Sequence, residues 1–147
     1  MKRRDVIVAG AAAAVTQTVV AASGCKAEGG TTPAAHVGGD DLVAALGACV
    51  AAGEACLTHC LRRLSTGDSS LGACAMRVRE MLAICPAVET LALSESSHLP
   101  RAAALCVEVC ESCRAECAKH AGHHAECRAC EEACRAVIAA ATPIAAG

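Results

Sequence analysis

The sequence predicts an all-α protein, an antiparallel four-helix bundle whose core is lined by cysteine. Three observations point there. Four Ala-rich segments of helical length alternate with short turn clusters, each segment repeats Cys at spacings that return to one helical face, and no strand pattern competes. With 147 residues the chain has room for one modest domain behind a leader.

Residues 1–24 read as that leader. Lys2-Arg3-Arg4-Asp5 is followed from Val6 to Cys25 by an uncharged, mostly Ala/Val stretch, the layout of a signal peptide. The paired arginines resemble a twin-arginine (Tat) signal, which implies export to the periplasm. Export after folding suits a thiol-rich chain, because it spares the unfolded cysteines a search among disulfide pairings. Ala22-Ser23-Gly24-Cys25 also resembles a lipobox, so a lipid anchor through Cys25 is the alternative. Residues 25–39, rich in Gly, Thr, Pro and Ala, read as a flexible linker. The folded unit is expected over 40–142.

Asp40 and Asp41 are capping signals for a first helix ending near Leu64. The cluster 65–70 turns the chain, and Asp68 or a serine caps a second helix over 71–93, in which Pro86 is expected to produce a kink. Residues 94–99 turn again, and Pro100 opens a third helix expected over 101–120 with Gly122 as its cap. The fourth is expected over 123–141, stopped by Thr142-Pro143.

The composition leaves such a bundle short of large side chains. There are 36 Ala, 13 Cys and no Phe, Trp or Tyr, and only 31 Val, Leu, Ile and Met remain, six of the aliphatic ones in the leader. The missing aromatics exclude nucleic-acid binding by base stacking, and a formal charge of −2 disfavours a phosphate-tracking surface. After cleavage of the leader no stable membrane span is expected.

Helical wheels show what fills the core. Cys106, Cys110, Cys113 and Cys117 share one stripe of the third helix, continued by His120; Cys127, Cys130 and Cys134 share one on the fourth, with His123. Cys49, Cys56 and Cys60 line the first helix, with Gly53 on the same stripe as an apparent missing position. Cys74 and Cys85 line the second, with Met81 between them. Four thiol stripes in one bundle face one another.

Twelve registered thiols are too many for incidental small hydrophobes. A disulfide-stabilised structural bundle is a second possibility, although residues three or four apart on a helix stand too far apart to pair. Metal binding fits better. Continuous stripes suit separate zinc cages poorly, and the compact spacings of iron–sulfur motifs are missing. Cu(I) is soft and prefers thiolate, and the pairs Cys56/Cys60, Cys106/Cys110 and Cys113/Cys117 offer two thiolates one turn apart. A general thiolate buffer for zinc or other soft metals stays open beside it.

The runs Cys-Val-Glu-Val-Cys-Glu-Ser-Cys-Arg-Ala-Glu-Cys-Ala-Lys-His (106–120) and Cys-Arg-Ala-Cys-Glu-Glu-Ala-Cys (127–134) resemble those of the bacterial copper storage proteins. The resemblance covers 40–142, and the leader makes it similar to the exported branch. It implies a copper storage protein holding several Cu(I) ions per chain on core thiolates, with the twelve stripe cysteines as ligands. It also implies a homo-oligomer, often a tetramer, and exchange with copper-delivering or copper-accepting proteins. No Ser/His/Asp arrangement, P-loop or acid pair stands out, so no enzyme is expected. His59, His120, His123 and His124 gather near one end of the expected tube, where His120 and His123 are expected to admit metal.

Overall fold

The computed structural model describes residues 39–147, which form four helices: α1 (Gly39–Ser65), α2 (Gly72–Leu93), α3 (Leu99–Ala118) and α4 (Ala125–Ala145). A single turn of 3₁₀ helix, Ser69–Leu71, precedes α2. Each helix packs on its two neighbours in the cyclic order α1, α2, α3, α4, and no diagonal pair meets among the described residues. Short connections and this order make the antiparallel bundle that the turn spacing predicts.

Ala-rich sequence carries little side-chain entropy cost in a helix, and i,i+3 and i,i+4 ion pairs support the outer faces. Arg77 pairs with Glu80 at 2.7 Å, Lys119 with Glu116 and Arg135 with Glu131, the last two each at 2.5 Å. The Asp40 and Asp41 carboxylates lie within the first turn of α1 rather than before it, where they favour the positive end of the helix dipole. Helix α1 is long and apolar enough to cross a membrane, but its stripe of Leu42, Leu46, Cys49, Gly53, Cys56 and Cys60 is buried against the bundle.

Three expected boundaries shift. Helix α4 runs through Pro143 to Ala145, past the expected stop, whereas α2 contains Pro86 within its length as expected. Both prolines are exposed, so each ring stands on the solvent side of its helix, where the loss of one backbone donor costs less than in a buried turn. Helix α3 ends at Ala118 with Lys119 as its cap, and Gly122 has no positive φ. Helix α4 starts at Ala125, with no side-chain cap from His124. The turn between them is held instead by Arg128, whose Nε and Nη2 donate to the Ala121 carbonyl at 3.1 and 2.9 Å.

Twelve of the twenty-two buried hydrophobic side chains are cysteines. They are distributed unevenly along the axis. Leu42, Leu46, Val88, Ala103, Val137 and Ala141, also buried, close the end that carries the α2–α3 turn. Cysteine predominates in the remainder, towards the end carrying the α1–α2 and α3–α4 turns, beside Leu71, Ala75, Val78 and Met81 of α2 and the turn before it.

Candidate metal centre

All twelve stripe cysteines are fully buried and free, as the wheels predict. Their sulfurs fall into five groups, each with every pair within 4.8 Å. From the turn-rich end the first is Cys56, Cys60, Cys74 and Cys127. Then come Cys56, Cys117 and Cys130; Cys113, Cys130 and Cys134; Cys49, Cys110 and Cys134; and Cys85, Cys106 and Cys110. Consecutive groups share Cys56, Cys130, Cys134 and Cys110, so the five form one unbroken column.

The spacing suits bridging metal rather than disulfides. Cross-helix contacts include Cys74–Cys117 at 3.6 Å, Cys49–Cys134 at 3.8 Å, Cys113–Cys130 at 3.8 Å and Cys85–Cys106 at 3.9 Å. A disulfide needs about 2.05 Å between sulfurs. A d¹⁰ ion holding thiolates at about 2.3 Å sets two of its sulfurs about 3.8 Å apart when tetrahedral and about 4.6 Å apart when linear. The column therefore accepts such ions with small adjustments of side chain.

Crowded thiols share their protons. Burial, then the charge of neighbouring Cys74, pushes the Cys60 thiol up to about 12 and the Cys127 thiol up to about 11. Hydrogen bonds from Cys117 and then Cys56 lower Cys74 to about 3, and bonds from Cys110 and then Cys85 lower Cys106 to about 4. Neighbouring thiols are thus pushed in opposite directions, some favouring the proton and some the thiolate, and the group titrates as a coupled set.

At the turn-rich end stands a histidine cluster. His59 Nε2 lies 3.0 Å from His124 Nδ1, His59 Nδ1 lies 3.3 Å from Glu126, and the rings of His120 and His124 are 6.4 Å apart. His120 Nε2 is buried without a hydrogen-bond partner, 3.7 Å from Glu116 Oε1. Loss of hydration, then the proximity of His59, Arg63 and His120, lowers His124 below the ordinary imidazole value. His59 and Glu126 also line an open groove of about 400 Å³ between α1 and α4.

His120 is thus where the wheel sets it, but His123 is exposed in the turn. The reason is the late start of α4: two residues ahead of Ala125, His123 is not on the helical register that the wheel assumes. His59 and His124 take its place. The wheel sets His59 off its own thiol stripe, so nothing in the local spacing of α1 announces it.

The family model described as copper storage protein matches residues 36–146. The cysteine-rich protein YhjQ of Bacillus subtilis is 34% identical over 85 residues, covering 58% of this chain and 75% of its own. The copper storage protein Ccsp of Streptomyces lividans, solved with 10 copper equivalents, superposes with a TM-score of 0.70 at 28% identity, over 80% of this chain and 94% of that one. A five-copper structure of a cytosolic copper storage protein from the same organism superposes with a TM-score of 0.67 at 28% identity, over 76% and 97%. These relatives overturn the expected export to the periplasm, because the Streptomyces protein is cytosolic. A basic start before an Ala/Val run is a compositional signal only, and a reducing cytosol keeps neighbouring thiols unoxidised without any export step. The signal and anchor readings of residues 1–24 and of Cys25 lie outside the described residues.

Proposed function

The chain belongs to the copper storage protein family, and on that premise we propose that its twelve described cysteines are the ligands that hold the stored Cu(I). These are Cys49, Cys56, Cys60, Cys74, Cys85, Cys106, Cys110, Cys113, Cys117, Cys127, Cys130 and Cys134. Storage of several Cu(I) ions is the function of the bundle. One observation carries the ligand assignment: every one of these sulfurs belongs to a group, and consecutive groups share a residue. Titration of the reduced protein with Cu(I) against a competing chelator tests it. Saturation at many ions per chain is expected, and saturation at one or two would overturn it.

A thiolate column has no unique activated sulfur and no open substrate position among the described residues, so the reading is of a store without turnover. Bound ions are held by charge and softness, and they leave when a competing thiolate reaches them.

The group Cys56, Cys60, Cys74 and Cys127 favours a second, narrower reading, because four thiolates are the donor set of a structural zinc site. Zinc competition in the same titration separates the two. Zinc is expected to displace no more than the ion held by this group, whereas a general thiolate buffer would exchange throughout.

Admission of metal belongs at the histidine end, since aliphatic side chains close the other. His120, with its orphaned Nε2, is the inner ligand of that mouth, and His59 and His124 stand outside it. His123, exposed in the turn, is the outermost candidate. Replacing His120 by Ala is expected to slow loading from a copper chelate while leaving final capacity unchanged; replacing His123 tests the lesser contribution. The same end is where a copper-delivering or copper-accepting protein would dock. Exposed Leu61, Met76, Leu93 and Leu105 support assembly into a homo-oligomer, with the tetramer implied by the family resemblance as the expected mass in light scattering.

A further inference from the structure

We infer that Met81 is a thirteenth sulfur ligand of the store, completing with Cys49 a mixed thiolate–thioether Cu(I) position opposite Gly53. The inference rests on the storage reading and extends it to a residue outside the thiol column.

The argument begins at Gly53, which lies buried on the thiol stripe of α1 between Cys49 and Cys56. Read on α1 alone, it is a lost site. The opposite helix supplies the reason: a Cβ at position 53 would collide with Met81 Cε and stand 3.0 Å from Leu82 Cδ2. The Met81 side chain lies across the glycine, filling the space that a thiol on α1 would have used. Met81 is itself fully buried, and its Sδ is 3.5 Å from Cys49 Sγ.

Cys49 belongs to the group Cys49, Cys110 and Cys134. With metal–sulfur bonds of about 2.3 Å, sulfurs 3.5 Å apart subtend about 100° at a shared ion, an ordinary ligand angle. A thioether is soft, suits Cu(I) and needs no deprotonation. It adds a donor without adding negative charge to a buried column already dense in thiolate. Hydrophobic filling explains why an apolar side chain covers Gly53; it does not require sulfur to face sulfur.

Met81→Leu conserves volume and apolarity and removes only the thioether. In the competition titration this variant is expected to keep the apo melting temperature and to lose one tightly held Cu(I) equivalent relative to the unsubstituted chain. The second measurement is direct. Selenomethionine-labelled protein carrying Met76→Leu, fully loaded with Cu(I), is expected to show copper in the first coordination sphere of selenium by X-ray absorption. That signal is expected to vanish when Met81→Leu is added. Unchanged capacity in Met81→Leu, together with only carbon neighbours around selenium, would overturn the inference while leaving storage intact. Failure of the unsubstituted chain to take up more than one or two ions would overturn the storage reading first, and this inference with it.

Discussion

The sulfurs of Cys74 and Cys117 lie 3.6 Å apart, joining α2 to α3 at the turn-rich end of the column. Cys74 belongs to the four-thiol group and Cys117 to the next, and Cys56 belongs to both. Capacity therefore depends on how many groups a sulfur serves. Cys56→Ser, which leaves two groups short of a ligand, is expected to lower Cu(I) capacity about twice as far as Cys106→Ser, which leaves one short. Chelator-competition titrations of the two variants measure the ratio, and equal losses would mean that the groups act independently of their shared sulfurs.

Gly53 is held small by Met81, so Gly53→Ala sets two effects against each other. Helix propensity favours Ala by about 1 kcal/mol, whereas overpacking a closed core costs about 1–3 kcal/mol. Met81 is fully buried and has little room to retreat. Net destabilisation by about 1 kcal/mol is expected in denaturant unfolding of the apo protein. In the Met81→Ala background the same substitution is expected to be neutral or stabilising, a coupling that a double-mutant cycle reads directly.

The contrast between these two sites shows what the sequence alone discloses. The thiol stripes were legible because a helix has a fixed period, and one phase on each helix places twelve residues without knowledge of the packing. Met81 was visible on the α2 stripe, but its meaning required knowing which residue of α1 it faces. His123 falls off the expected register for a local reason: α4 begins without a side-chain cap, held by Arg128 on the Ala121 carbonyl, so no residue-type signal marks its start. Pro143 reads as a stop in any linear scan, yet on an exposed face it costs less than the rule supposes.

Two helices end in the same motif with different residues. At the end of α1, Gly67 N donates to Leu64 O at 3.0 Å and Asp68 N to Arg63 O at 3.2 Å; Gly67 has a φ of 88°. After α2, Glu95 N donates to Ala92 O at 3.1 Å and Ser96 N to Leu91 O at 3.0 Å, but the left-handed position holds Glu95 at a φ of 50°. A side chain there costs about 1–2 kcal/mol, and glycine adds about 0.4–1 kcal/mol of unfolded-state entropy cost. Glu95→Gly is therefore expected to stabilise the bundle by up to about 1 kcal/mol, and Gly67→Ala to destabilise it by a similar amount, both measured by urea unfolding.

Asp68 gives the first turn a defined acid sensitivity. Its carboxylate accepts from Ser70 Oγ at 2.6 Å, from Ser70 N at 3.1 Å and from Arg63 Nη2 at 2.6 Å. The serine hydroxyl, then its amide, then the guanidinium lower the acid to about 2 from 3.8. A folded-state value below the unfolded one means that the ionised form supports the fold. That support is complete above about pH 4 and disappears as pH falls towards 2. Asp68→Asn is expected to flatten the dependence of the unfolding midpoint between these limits and to leave it unchanged in shape near neutrality; an unaltered acid limb would assign the sensitivity elsewhere.

Metal and fold should stabilise each other. The apo core is built from cysteine, alanine and few large aliphatic side chains, so its burial per residue is modest, while the thiols of the column are gathered only when the helices are packed. Ions that bind the native column more tightly than the unfolded chain raise stability by RT ln(1 + [L]/Kd), about 2.7 kcal/mol per site at a hundredfold excess over Kd. Binding also displaces protons from thiols that are protonated in the apo state, so affinity rises with pH and loading acidifies an unbuffered solution. The melting temperature is expected to climb progressively with each Cu(I) equivalent, to stop climbing at the capacity found by titration, and to return to the apo value when a strong Cu(I) chelator removes the metal. Proton release followed in a pH-stat over the same additions should cease at the same point. If the two end points diverge, copper beyond the earlier one is held outside the column.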